Sequence, residues 1–180
     1  MKHILPILTL TTLAAAASAQ SAAAAGLSYN RAGVNYNTDA AAGDNGYSLS
    51  VEALVGSSNV WVGASADLNN AGDDSAAVGY LFKNVAAGID ATVSVGAGDA
   101  ATNSDIGLTL RRSLSEVVAG LEARIVLGYN SGAGTNASTT DYTYELQYNI
   151  NKQFGIAYSV TDVDAAGVSN LHTVSVRYNF

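Results

Sequence analysis

Leu171-His172-Thr173-Val174-Ser175-Val176-Arg177-Tyr178-Asn179-Phe180, the last ten residues of the chain, decide how the rest is read. From His172 the even positions read His, Val, Val, Tyr, Phe, and the odd positions from Thr173 read Thr, Ser, Arg, Asn. Strict alternation of this kind places the two sets on opposite faces of a β-strand. An apolar strand left free at its edge invites aggregation, and pairing with the first strand would close the sheet and remove the edge.

Working outward, the 180 residues suit one domain. Residues 1–19 read as a secretory signal peptide. Lys2 and His3 start it, Ile4 to Ala16 are mostly apolar, and Ala17-Ser18-Ala19 offers small residues for cleavage before Gln20. The apolar run is shorter than the roughly 20 residues a spanning helix needs. A small-residue spacer, 20–25, leaves 26–180 for the folded domain. With no Cys, disulfides, thiolate metal sites and a cysteine-linked lipid anchor are excluded. A net charge of −7 argues against nucleic-acid binding and fits a solvated acidic surface.

The remaining chain has no helix-length apolar stretch, and its single Pro, Pro6, lies in the signal. Ten alternating segments can be counted. Gly26–Asn37 is the least regular: Ala32, Val34 and Tyr36 share a face, Leu27 and Tyr29 fall on the other, and a bulge at Arg31 and Gly33 would reconcile them. Later segments are cleaner. Tyr142, Tyr144, Leu146, Tyr148 and Ile150 oppose Thr143, Glu145, Gln147 and Asn149, and an odd-numbered apolar run extends from Val117 to Tyr129. Tight turns are expected at Gly56–Asn59, Lys83–Asn84, Ser113–Ser115 and Asn151–Gln153, with longer Gly-, Asn- and Asp-rich loops between them. Ten residues at about 3.3 Å, tilted about 40°, rise about 25 Å, the height of the apolar band of a membrane barrel.

A β-sandwich, a soluble barrel and a membrane barrel could all use this alternation. The polar face discriminates among them. It carries scattered charges, Glu52, Asp67, Lys83, Asp90, Asp105, Arg111, Glu116, Glu122, Arg124, Glu145 and Arg177, among much Gly, Ser, Thr and Ala. A water-facing surface would hold more Lys and Glu, whereas a confined lumen needs small residues crossed by a few long ones. Tyr36, Tyr47, Tyr129, Tyr142 and Tyr144 lie near the long loops, and Tyr80, Phe82, Tyr148, Phe154, Tyr178 and Phe180 near the short turns. Two such belts suit the two headgroup levels of a bilayer. The reading is an all-β, transmembrane, antiparallel up-and-down barrel of about ten strands, with eight as the alternative.

The ending resembles the C-terminal strand of bacterial outer-membrane β-barrels, in which a terminal Phe and an aromatic two residues earlier form the assembly signal. Phe180 and Tyr178 match those positions, while Ser175 stands where the family often has Gly. As a whole the chain looks like the small porin-like outer-membrane barrels, the group that includes outer-membrane proteins A and X and the opacity proteins. That resemblance implies signal-dependent export to the cell outer membrane. It implies contact with membrane lipid and lipopolysaccharide, and recognition of the last strand by the barrel-assembly machinery.

No catalytic set is apparent, and no enzyme activity or cofactor is expected. His172 is the only His outside the signal peptide; Asp162 and Asp164 lack a second His, and no nucleophile motif accompanies them. The loop acids Asp39, Asp44, Asp73, Asp74, Asp99, Asp141, Asp162 and Asp164 lack calcium-loop spacing and read as solvated tips. The lumen charges Glu52, Asp90, Arg111, Glu122, Arg124, Glu145 and Arg177 are the candidate site. Either they satisfy one another inside a closed structural barrel, or they gate a narrow, cation-leaning pore for small ions or solutes. Adhesion through the loops is the alternative function.

Overall fold

The computed structural model describes residues 27–39, 45–69, 74–98, 103–131, 138–164 and 170–180. The expected signal peptide and spacer lie outside the described residues, as do the loop acids Asp44, Asp73 and Asp99. Ten strands follow one another: β1 (Arg31–Asp39), β2 (Asn45–Leu54), β3 (Val60–Asp67), β4 (Ser75–Ala86) and β5 (Ile89–Gly98). The second half comprises β6 (Asn103–Ser113), β7 (Leu121–Asn130), β8 (Thr139–Asn149), β9 (Phe154–Val163) and β10 (Leu171–Asn179).

Each strand is antiparallel to its sequence neighbour, and β1 pairs with both β2 and β10, so the sheet is a closed barrel. Val34 lies between Val176 and Leu49, and Arg31 between Asn179 and Glu52. Closure satisfies every ladder without leaving an edge, the condition a sheet must meet to stand in hydrocarbon.

The polarity is turned outward. Val174, Val176 and Leu146 are 53%, 56% and 54% exposed, whereas Glu145 and Arg177 are each 7% exposed. Two stacked layers would have reversed that relation. Val51, Ala53 and Ala66 keep the outward phase but are buried. Aromatic pairs lie at both ends of the wall: Tyr36 with Tyr47, ring centroids 5.1 Å apart, and Phe154 with Tyr178 at 5.3 Å. Near the long-loop end the Tyr158 hydroxyl and His172 Nδ1 are hydrogen-bonded at 2.8 Å.

Three expectations are corrected by the local structure. The β1 ladder is continuous, with no bulge at Arg31 and Gly33. The strand simply begins at Arg31, so Leu27 and Tyr29 precede it. Lys83–Asn84 is not the turn: β4 continues to Ala86 through a register shift, and the chain reverses at Ala87–Gly88. Asn84 N donates to Asp90 Oδ1 at 2.6 Å and Asn84 Oδ1 accepts from Gly88 N at 3.1 Å, so Asn84, through its backbone and its side chain, organises the irregularity. Finally, the odd-numbered run before Leu121 is not strand. Residues 114–120 form a compact connection closed by Leu114 N donating to Leu121 O at 2.8 Å. Gly120 has φ +82°, and a Cβ there would lie 2.6 Å from Asn149 O. Alternation alone cannot separate such a turn from a strand.

Candidate functional site

Inward-facing residues alternate along every strand, so the register decides which charges meet. Arg31 stands opposite Glu52, Arg124 opposite Glu145, and Arg111 lies between Asp90 and Arg124. The inward face of β9 carries Gly155, Ala157 and Ser159, small residues that leave room for long side chains from β8 and β10.

Arg177 takes Glu145 with both terminal nitrogens and donates from Nη1 to Gln147 Oε1 at 2.7 Å. Gln147 Oε1 also accepts from Arg31 Nη1 at 2.9 Å, and Arg31 Nε binds Glu52. Gln147 Nε2 donates to Asn149 Oδ1 at 2.7 Å, and Asn149 Nδ2 donates to Glu122 Oε1 at 2.7 Å. Glu122 Oε2 in turn accepts from Arg111 Nη2 at 2.8 Å. Trp61 Nε1 donates to Glu52 Oε2 at 3.1 Å, and Arg124 Nη1 lies 3.8 Å from Glu52 Oε1. The result is one connected polar layer across the barrel.

Such a layer is costly to bury, and each charge depends on its partners to stay ionised there. Neutral amides serve as the joints. Gln147 bridges two guanidiniums, which could not otherwise approach one another without a shared acceptor. Arg124 is the loosest member. Its Nε, like Arg31 Nη2, is buried with no hydrogen-bond partner.

The predicted charges Glu52, Arg111, Glu122, Arg124, Glu145 and Arg177 come together in this layer. Asp90 does not pair directly with an arginine by hydrogen bond; it accepts from the Tyr29 hydroxyl and from Asn84 N. Glu116 is not in the lumen. It sits in the 114–120 connection and pairs with Arg112 at 2.9 Å, and Lys83 is likewise exposed. Arg31, Gln147, Asn149, Trp61 and Tyr29 were not among the predicted site residues. Gln147 and Asn149 share the phase of Glu145 on β8, and Arg31 and Trp61 alternate onto the polar faces of β1 and β3, which is the available signal.

Adding Arg31 and removing Glu116 changes the electrostatics. Arg31, Arg111, Arg124 and Arg177 face Glu52, Glu122, Glu145 and Asp90, so the layer has no acid excess. The acid surplus behind the cation-leaning reading lies instead at Asp67 and Asp105, towards the long-loop ends, and Asp141, expected as a solvated loop tip, stands within β8 at the same end.

Above the layer is a cavity of about 240 Å³. Its lining runs from Ser65 and Ser75, at the long-loop ends of β3 and β4, down to Arg31, Glu52, Trp61, Arg124 and Arg177. Its walls are held by short polar bonds: Ser65 with Ser75 at 2.8 Å, and Asn35 Nδ2 to Ser48 and Ser50 at 3.2 Å each. A second, much smaller space of about 10 Å³ lies between Tyr29, Glu52, Trp61, Thr92, Thr109, Arg111 and Arg124. The larger space can hold water and small polar solutes, and the smaller one has room for about one water.

No protein-family model matches the sequence, and no curated protein does. Among solved structures the chain is similar to a NanC porin, at 11% identity and a TM-score of 0.50, over 84% of this chain and 98% of that one. It is also similar to a KdgM porin, at 12% identity and a TM-score of 0.51, over 83% of this chain and 99% of that one. At these identities the likeness is one of fold, and the fold is that of a closed, antiparallel, porin-type barrel.

Proposed function

We propose that the protein is a narrow porin-like channel of the outer membrane, with its polar layer as the constriction. The observation that carries this reading is a barrel apolar outside and charged within, holding a cavity whose lining reaches from the charged layer to Ser65 and Ser75 at the long-loop ends of β3 and β4. Small hydrated ions or solutes collect above the layer and pass where Arg124, the most loosely held guanidinium, moves aside. Its long contact with Glu52 and its unpartnered Nε favour it as the moving part.

Tyr178 and Phe180 serve assembly in the same reading. They close the seam, Tyr178 opposite Ala32 and Phe180 N donating to Asn30 O at 3.0 Å, and present the aromatic ending to the assembly machinery. Outside, the apolar wall meets lipid and the long loops meet lipopolysaccharide.

Planar-bilayer recording tests the channel. The wild type gives small, resolvable steps, and Arg124→Ala raises unit conductance by roughly twofold by widening the layer. Silence from both proteins, each folded and membrane-inserted, would make this a purely structural barrel.

A further inference from the structure

Residues 28–30 precede the first strand, yet they are not outside the barrel. Asn30 anchors them at the seam, its Oδ1 accepting from Leu54 N at 2.9 Å and its carbonyl accepting from Phe180 N at 3.0 Å. From there the chain turns inward. The Tyr29 hydroxyl donates to Asp90 on β5, and the Arg111 guanidinium on β6 lies 4.8 Å from the centre of the Tyr29 ring. Arg111 Nη1 also donates to Ser28 O at 2.8 Å.

The ring of strands gives these contacts their meaning. In a closed order of ten, β6 is five strands from β1 in either direction, which makes it the wall opposite the seam. A segment tied to β1 at one end and to Arg111 at the other therefore crosses the lumen. It crosses on the short-turn side of the polar layer, because β1 starts there, with Arg31 opposite Asn179.

We propose that residues 28–30 are a releasable strap that closes the short-turn mouth of the lumen, latched by Tyr29 on Asp90 and Arg111. Asn30 is held by backbone groups of the wall and acts as the hinge post. Ser28 and Tyr29 are held on the far wall by contacts to two residues, outside any strand ladder, so they can let go while the barrel stays intact. The latch combines a charge-accepted hydroxyl bond with a cation over an aromatic face, interactions that break without disturbing the sheet. Its meaning as a gate rests on the channel reading, but its geometry does not.

The chain has no Cys, so one introduced thiol reports access cleanly. Thr109 lines the same small space as Tyr29, and Thr109→Cys places the reporter there. Labelling by a small, charged thiol reagent is slow in that background, and adding Tyr29→Ala accelerates it at least about tenfold by removing the latch. Tyr29→Phe keeps the ring on Arg111 but loses the bond to Asp90, and gives an intermediate rate. It also provides the test should Tyr29→Ala fail to give the compact, heat-modifiable form. Equal rates with and without the latch overturn the strap. Conductance recorded on the same proteins separates the two readings: faster labelling with no channels keeps the strap and removes the channel.

Discussion

Arg177 on β10 clasps Glu145 on β8 across the intervening strand, with two parallel bonds passing over Gly155, Ala157 and Ser159 of β9. Small residues on the middle strand are what make this reach possible. The clasp links strands that do not pair and fixes one end of the polar layer, with Gln147 joining it to Arg31.

Glu145→Ala leaves Arg177 buried with only the amide of Gln147 as partner. The expected loss is about 3–5 kcal/mol, the penalty of stranding one member of a buried pair. Urea titration of the vesicle-inserted barrel, followed by gel mobility, measures it. A loss within error of zero would show that solvent reaches the pair freely.

Val176 and Ser175 are neighbours on opposite faces, 56% and 3% exposed. Val176→Lys places a charge in the apolar wall and costs about 2–4 kcal/mol in bilayers, falling as the site nears the headgroups. The same titration reads it. An unchanged midpoint would count against the wall facing lipid.

Trp61 is the only Trp, and its ring covers Gly63 so closely that a Cβ there would lie 2.5 Å from Cη2. Gly63→Ala must push the indole off its place and weaken the bond to Glu52. Trp fluorescence therefore changes in emission maximum and in quenching by a small aqueous quencher, while the barrel remains folded. Identical spectra would refute the close approach.

Ala87 has φ +48° beside Gly88 at φ +75°, a reversal that favours Asn followed by Gly. Ala87→Asn relieves the strain of an alanine in the left-handed region. The stability gain is about 0.5–1 kcal/mol, visible as a higher urea midpoint.

Phe180→Ala removes the aromatic terminus without touching the polar layer. Less barrel reaches the outer-membrane fraction, while protein refolded in detergent keeps its heat-modifiable form. Equal recovery in cells would separate Phe180 from assembly.

Alternation in the primary structure was enough to establish the strands and their two faces, because a period of two assigns each residue to a face before any partner is known; the small, sparsely charged polar face and the two aromatic belts pointed to a barrel with its apolar side outward. It also named most of the inward charges, Arg111, Arg124, Glu145 and Arg177 among them. It failed where the chain leaves the ladder, at Glu116 in its turn and at the bulge around Asn84, because a period says nothing about where pairing stops. Only the tertiary structure could decide which charges meet. That depends on stagger between strands and on what fills the space between them: Gln147 joining Arg31 to Arg177, Trp61 lying over Gly63, and Tyr29 reaching Arg111 on the opposite wall. Those contacts join residues as much as 116 positions apart, and no local pattern encodes that distance.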